Sequence, residues 1–409
     1  MHWAALKRGA EDPYVLARLG LYPLAMHYSP EDAMSQIGRD LAAAALGQAD
    51  AHTLSSLRAL PSGKRRFAAR LLALQDCEAA LSLLGESDVA ATAACLLALD
   101  RPEDARLRST GGPQASRENA AIHAHIEVSA GNYAAARAAL NAMFGHDGLS
   151  APLPVADTEF GIDDLRGSTQ AICTGPKISV VIPYHDDAAT LETAIRSIAG
   201  QSWRNLEILL VDDRSQDSGP AIVHRLAEAD DRIVALANRR TPGVYGARNT
   251  AIDAATGDYL TFLDADDWSP VERIARQLDG LGPAALGIAN HIRMDERGRP
   301  IAPRVFPLVR PVPITAFVRR ETLLAAGPFE EVETGADSEM LARLEMAHGK
   351  AAVRRDPAVL LVARWRTGSL SRDAEGGLLG MERHEYRANW MFRHAGREAP
   401  RLPAEPSAE

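Results

Sequence analysis

Three cysteines in 409 residues, Cys77, Cys95 and Cys173, are too scattered and odd in number for a disulfide framework, and no Cys-x-x-Cys pair offers a structural zinc site. A reducing compartment suits that usage. A basic surplus is missing too. The 45 Lys and Arg against 54 Asp and Glu leave a net charge of −9, which excludes a dedicated nucleic-acid binder, whose surface must offset phosphate charge. No uninterrupted apolar run reaches the roughly 20 residues needed to span a bilayer. The nearest, from Leu71 to Leu99, is broken by Gln75, Asp76, Glu78, Glu86 and Asp88. The first eight residues lead into no apolar run, so no signal peptide is read there. The expected location is cytoplasmic, at most peripheral to a membrane.

What is present falls into two halves. Residues 1–145 are rich in Ala, Leu and Arg and poor in β-branched residues, which predicts helices. Segments 42–46, 67–74, 89–99 and 120–128 suit them, separated by Pro61-Ser62-Gly63 and Gly111-Gly112-Pro113. Residues 130–140 are similar to the second helix of a tetratricopeptide repeat, but no fixed period recurs, and a plain bundle fits as well as a repeat array. Residues 146–176, broken by Pro152, Pro154, Gly161, Gly167 and Gly175, read as a linker. From Lys177 short β-branched runs alternate with helical patterns, predicting an α/β domain over 177–372 with a mostly parallel central sheet. Strands are expected at 178–182, 206–211, 233–237 and 259–263, with helices at 190–199, 220–229 and 245–254. Further strands are expected at 285–291, 313–318 and 359–365. Residues 373–409 are expected to form a helical extension and tail.

The strand at 259–263 runs into Asp264-Ala265-Asp266-Asp267-Trp268, three carboxylates at the strand end where ligands bind open α/β sheets. A divalent cation carrying a diphosphate needs one or two such groups and takes the phosphate oxygens as further ligands. The same residues would also serve as an acidic turn before a helix starting at Ser269-Pro270. Three more motifs stand in order: Ile182-Pro183-Tyr184-His185-Asp186-Asp187, Val211-Asp212-Asp213-Arg214-Ser215, and Gly243-Val244-Tyr245-Gly246-Ala247-Arg248-Asn249.

This ordered set resembles the family 2 glycosyltransferases, inverting enzymes of the GT-A fold, over about Lys177 to Arg372. The resemblance implies that Pro183 and Tyr184 line a nucleotide-base pocket and that Asp213 hydrogen-bonds the base, with Asp212 supporting its loop. Arg248 would contact the nucleotide, Asp264 the ribose or a metal-bound water, and Asp266 the metal, Mn or Mg. Asn290 to Gly298 is similar to the family's hairpin. In Gly335-Ala336-Asp337-Ser338-Glu339, Ala336 and Glu339 replace a usual Glu and Asp; Asp337 and Glu339, two residues apart, compete for the catalytic-base role, and the resemblance selects Asp337. Arg364 to Ser371 resembles the loop that closes over the diphosphate, with Arg366 where many relatives carry His; Arg pairs well with phosphate oxygens but ligates no metal. The implied partners are a nucleotide-sugar donor, a UDP-sugar first, and a glycan or lipid-linked acceptor. The helical half is assigned to acceptor, membrane or protein partners.

Rival classes lack their signatures. A dinucleotide-dependent oxidoreductase or a nucleotidyltransferase needs a glycine-rich loop after the first strand, where this chain has Pro-Tyr-His-Asp-Asp. A P-loop and the Gln-x-x-Arg-Trp motif of membrane-embedded synthases are absent. A helical scaffold with an inactive transferase domain is the non-enzyme alternative.

Overall fold

A computed structural model describes residues 6, 12–109, 116–167, 170–366 and 380–397. The chain divides into two compact units. The first begins with short helices, α1 (Pro13–Arg18), α2 (Tyr22–His27), α3 (Ala33–Ala45), α4 (Ala51–Arg58), α5 (Ser62–Leu72), α6 (Cys77–Leu81), α7 (Val89–Ala98) and α8 (Pro102–Arg108). Aspartates start several of them: Asp12, Asp32, Asp50 and Asp76 each accept a backbone N–H of the first turn, satisfying donors that have no intrahelical partner. Alanines line the buried faces of α3 and α7. Gly38 marks a close approach, since a Cβ there would lie 2.1 Å from the Tyr14 nitrogen.

The second unit starts with a helical hairpin, α9 (Arg117–Ser129) and α10 (Tyr133–Gly145). Residues 146–167 carry one short 3-10 turn at Ile162–Asp164, yet they are packed: Leu149, Leu153, Phe160, Ile162 and Leu165 are all buried. Then come β1 (Ile178–Tyr184), α11 (Leu191–Ala199), β2 (Leu206–Asp212), α12 (Gly219–Ala229), β3 (Ile233–Ala237), α13 (Val244–Ala254) and β4 (Tyr259–Phe262). They are followed by α14 (Arg273–Leu281), β5 (Leu286–Asp295), β6 (Pro300–Ile301), β7 (Arg310–Arg319), α15 (Arg320–Ala326), α16 (Ala336–His348) and β8 (Val353–Trp365). The chain then returns to the first unit with α17 (Met381–His394).

The sheet order is β3-β2-β1-β4-β7-β5-β6, with β8 beside β5. β3, β2, β1 and β4 are mutually parallel; β7 runs antiparallel to β4 and β5, and β8 is parallel to β5. This is the mostly parallel α/β sheet expected from the sequence. β1 is buried throughout, as its apolar run predicts for a strand covered on both faces. The four parallel strands deliver their C-terminal ends to one edge, and Asp187, Asp213 and Asp264 all follow such ends. The expected hairpin is present: Met294 pairs with Pro300, and the Asp295 carboxylate holds the N–H groups of Arg297 and Arg299. β8 starts six residues earlier than expected, because Arg354, Arg355, Asp356 and Pro357 disguise its first part in the sequence.

Candidate active site

β4 ends against β1, where Leu263 N donates to Val181 O at 3.0 Å, and then turns through Asp264, Asp266 and Asp267. Trp268 exchanges backbone hydrogen bonds with Val362 of β8 at 2.8 and 3.0 Å. The Arg364 N–H donates to Asp267 at 3.0 Å. These ties set the end of β8 alongside the acidic turn and bring Arg366 onto it. Its guanidinium donates to Asp266 at 3.3 Å and to Asp187, after β1, at 2.8 Å. Two carboxylates from different strands thus gather around one cationic group. Asp266 is 19% exposed; burial, then the charge of Asp264, raises its pKa, with Arg366 opposing. Asp267 is more deeply buried and is pushed well up by burial and by Asp266.

Arg248 comes from α13. Its side chain is 4% exposed and donates to Asp264 at 2.7 Å. The guanidinium lies 5.2 Å from the Tyr245 ring, 5.9 Å from Phe262 and 6.0 Å from Phe329, distances at which an aromatic face attracts a cation. Burial opposes its charge, but Asp264, Tyr245 and Asp337 together raise its pKa. Arg248 therefore reaches the site through Asp264, which is 41% exposed.

Pro183 and Tyr184 close β1 and are both buried. Burial raises the Tyr184 phenol, and Asp212 and Asp217 add to the effect. Asp212 accepts the Ser215 N–H at 2.9 Å, supporting the turn after β2. Asp213 is 8% exposed and uses both oxygens within the chain, accepting from Asn238 Nδ2 at 2.7 Å and Gly243 N at 2.5 Å. It thereby ties the ends of β2 and β3 to the start of α13.

Asp337 lies in the first turn of α16, half-buried, and lines an apolar cavity together with Arg248, Phe262, Phe329 and Met340. It accepts the Ser338 N–H at 2.8 Å and the Tyr245 hydroxyl at 3.3 Å. Tyr245 also accepts the Gly335 N–H at 3.0 Å, holding the turn that launches α16. Glu339, the rival carboxylate, is 1% exposed and bound to Arg343 at 3.0 Å.

The structure brings together Asp264, Asp266, Arg248 and Arg366, sets Asp337 on the same cavity as Arg248, and gathers Pro183, Tyr184 and Asp213 at the β1 and β2 ends. Residues 367–371 of the expected loop lie outside the described residues. Sequence reading assigned no role to Asp187 or Tyr245. Asp187 had one signal, its place in an acidic pair at the end of β1; Tyr245 had only its place one turn before Arg248.

Among the described residues no cluster of three or more His, Cys, Asp or Glu side chains is arranged to hold a metal. The carboxylates of Asp266 and Asp187 are paired with Arg366 instead.

Residues 179–302 match the family described as glycosyl transferase family 2. They form a family 2 glycosyltransferase domain. Outside that domain, Asp337 and Arg366 follow it in the same unit. The chain is 41% identical over 93 residues to the GalNAc(5)-diNAcBac-PP-undecaprenol beta-1,3-glucosyltransferase of Campylobacter jejuni, covering 22% of this chain and 30% of that one. It is 33% identical over 101 residues to the UDP-Glc:alpha-D-GlcNAc-diphosphoundecaprenol beta-1,3-glucosyltransferase of Escherichia coli, covering 25% and 39%. The chain spans between 13% and 51% of the length of such curated relatives. A mannosyltransferase from Pyrobaculum calidifontis, solved with GDP-Man and Mn2+, aligns at 19% identity and a TM-score of 0.41, over 58% of this chain and 68% of that one. Among the described residues no helix is long and apolar enough to cross a membrane.

Proposed function

We propose that the chain is an inverting glycosyltransferase that moves a sugar from a nucleoside diphosphate, a UDP-sugar first, to an acceptor hydroxyl of a glycan or lipid-linked saccharide. The observation that carries this reading is the pairing of Arg366 with Asp266 and Asp187 at the strand ends, with Arg248 holding Asp264 of the same acidic turn. The glucosyltransferase names of the relatives support the substrate class, and their undecaprenol-linked acceptors suggest surface-glycan synthesis.

Charge dictates the division of labour. As the bond from sugar carbon to phosphate oxygen breaks, the leaving diphosphate gathers negative charge. Arg366, released from its carboxylates by the incoming donor, pairs with those oxygens and stabilises the transition state more than the ground state. Asp266 would hold a divalent cation, Mn or Mg, with the diphosphate, and that cation would add positive charge to the same oxygens. Asp264, oriented by buried Arg248, meets the ribose or a water of the cation. Pro183, Tyr184 and Asp213 border the base, and Asp212 keeps their loop in shape.

Asp337 takes the proton from the acceptor hydroxyl as that oxygen attacks the anomeric carbon on the face opposite the leaving group. One in-line displacement inverts the centre and needs no covalent intermediate. Tyr245 orients the carboxylate and leaves it able to accept the proton.

The test is nucleotide release and sugar transfer by the purified full chain across a set of sugar nucleotides with Mn or Mg. A donor that both raises the melting temperature and is turned over supports the reading. Thermal stabilisation without any turnover, with every acceptor class, would instead support an inactive scaffold.

A further inference from the structure

Arg366 and its two carboxylates are accompanied by a second bridge, built from residues that the transferase chemistry does not use. Asp163 lies in the 3-10 turn Ile162–Asp164, ahead of the family 2 domain at residues 179–302. That turn is pinned to the fold: Ile162 and Leu165 are buried, and Arg166 N donates to Pro152 O at 2.8 Å. The Asp163 carboxylate accepts three hydrogen bonds. Arg364 gives two of them, a bidentate pair from its terminal nitrogens at 3.1 and 2.8 Å. Thr193 of α11 gives the third, from its hydroxyl at 2.6 Å. Burial opposes the charge of Asp163, but Arg364 and Thr193 hold its carboxyl below the ordinary value.

This bridge joins the same two parts of the chain as the first. Arg366 links Asp187, just ahead of α11, to Asp266 of the acidic turn. Asp163 links Thr193, within α11, to Arg364 at the end of β8. Arg366 follows β8 and stands two positions from Arg364, the spacing that turns side chains to one face of a strand. Both guanidiniums reach Asp266: Arg364 donates from Nε to its carbonyl at 3.2 Å, and Arg366 from Nε to its carboxylate at 3.3 Å. An ion pair whose acid is 54% exposed adds little to stability, so its main effect is geometric. The acidic turn has ties of its own, from Leu263 N to Val181 O and between Trp268 and Val362. Loss of Asp163 would therefore free the strand end and Arg366 before it moved Asp266.

We propose that Asp163 is a positioning residue of the transferase site: by clamping Arg364 to α11 it fixes where the end of β8 presents Arg366 to the donor diphosphate. This role rests on the reading of Arg366 as the partner of that diphosphate. Asp163 touches no reacting atom. It narrows the positions open to Arg366, so that when the donor draws the guanidinium away from Asp266 and Asp187 it meets the phosphate oxygens in one geometry. The segment ahead of the domain thereby contributes a residue to the site's alignment.

The experiment uses the full chain with Asp163→Ala and Asp163→Asn, the Asn keeping one acceptor oxygen. Hydrogen exchange without nucleotide reads the clamp: amides of residues 359–366 should exchange about tenfold faster in Asp163→Ala, with those of 178–184 unchanged. Turnover is read with UDP-glucose, GDP-mannose and dTDP-glucose in the presence of Mn, the fastest being carried forward. In Asp163→Ala kcat should fall about tenfold, part of the roughly 10²-fold that a 1 Å misplacement can cost. Donor KM should change by less than about twofold, because the misplaced charge is needed mainly in the transition state. Asp163→Asn should fall between wild type and Asp163→Ala. In an Arg366→Ala background the Asp163→Ala substitution should cost less than about twofold, since the group it positions is gone. Unchanged exchange at 359–366, or an equal loss of kcat in both backgrounds, overturns the role of Asp163. A wild type that turns over none of the three donors, with exchange still faster in Asp163→Ala, overturns the transferase reading and this role with it, so the two failures are told apart.

Discussion

Glu339 accepts a hydrogen bond from Arg343, one turn further along α16, at 3.0 Å, and only 1% of the glutamate is exposed. Arg343 also donates to the Ala326 and Pro328 carbonyls at 2.7 and 2.8 Å. The pair locks the segment before α16 to the helix, which leaves Asp337 to face the cavity. Asp337→Asn is expected to slow acceptor-dependent transfer by roughly 10²–10⁴-fold, the usual contribution of a general base, with donor binding unchanged by calorimetry. Glu339→Gln should keep most transfer per folded molecule. It should lower stability by about 1–3 kcal/mol, because a buried charged hydrogen bond is weakened. The reverse pattern in the two rates would assign the base to Glu339.

Arg366 is shared between Asp266 and Asp187 before any donor arrives. Arg366→Ala should therefore reduce kcat more than it raises the donor KM, since the charge it meets develops in the transition state. A change in KM alone would mean equal binding of ground and transition states. Chelation should abolish turnover and added Mn or Mg restore it. Full activity after dialysis against chelator would remove Asp266 from a metal role.

Glu207 of β2 offers a pH signature. It is 8% exposed and accepts from Lys177 at 2.7 Å, Ser179 at 2.5 Å, and the Thr256 N–H and hydroxyl at 2.6 Å each. Burial opposes its charge, but these donors prevail and bring its pKa down to about 2, from 4.5. A depressed carboxylate contributes stability that is complete above the unfolded value and is lost as pH falls through the folded one. The contribution at neutral pH is on the order of 3 kcal/mol. Glu207→Gln should lower the melting temperature near pH 7 and flatten its decline between about pH 5 and 2. A variant whose melting curve keeps the wild-type slope over that range would exclude Glu207 as the cause.

The order of the four motifs revealed the parallel strands and the acidic turn, because each sits in local sequence at a strand end. The ion pair of Arg366 with Asp187 was not legible, since the two stand 179 positions apart and meet only through β8. Glu339 looked like a second candidate base because burial is not written in a two-residue spacing. Residues 146–167 read as a linker for their prolines and glycines. Their buried Leu149, Leu153 and Phe160 occur without any period, and so gave no signal.

Those residues and the hairpin before them bear on fragment design. Phe144 packs edge-on to Trp268 at 6.1 Å, Ser150 N donates to Glu272 at 3.0 Å, and Glu118 receives the Leu308 and Val309 N–H groups at 2.8 and 2.9 Å. A fragment of residues 116–367 is expected to fold and bind the donor nucleotide. One starting at residue 169 exposes the apolar face beneath α10 and should aggregate or melt several degrees lower. Equal solubility and melting temperature for the two fragments would show that the hairpin contributes nothing to the transferase domain.

Residues 302–307 belong to the first unit although the chain on either side of them belongs to the second, and α17 rejoins the first unit only after β8. Emerging from a ribosome, helices α1 to α8 are made first but cannot be completed first. They must wait for two later visits of the chain, with the whole transferase sheet synthesised in between. The second unit lacks only a six-residue excursion and can close as soon as β8 is out. A translational pause or truncation before Met381 would therefore leave a formed sheet attached to an unfinished bundle, which makes the helical unit, older in the chain, the younger in the fold.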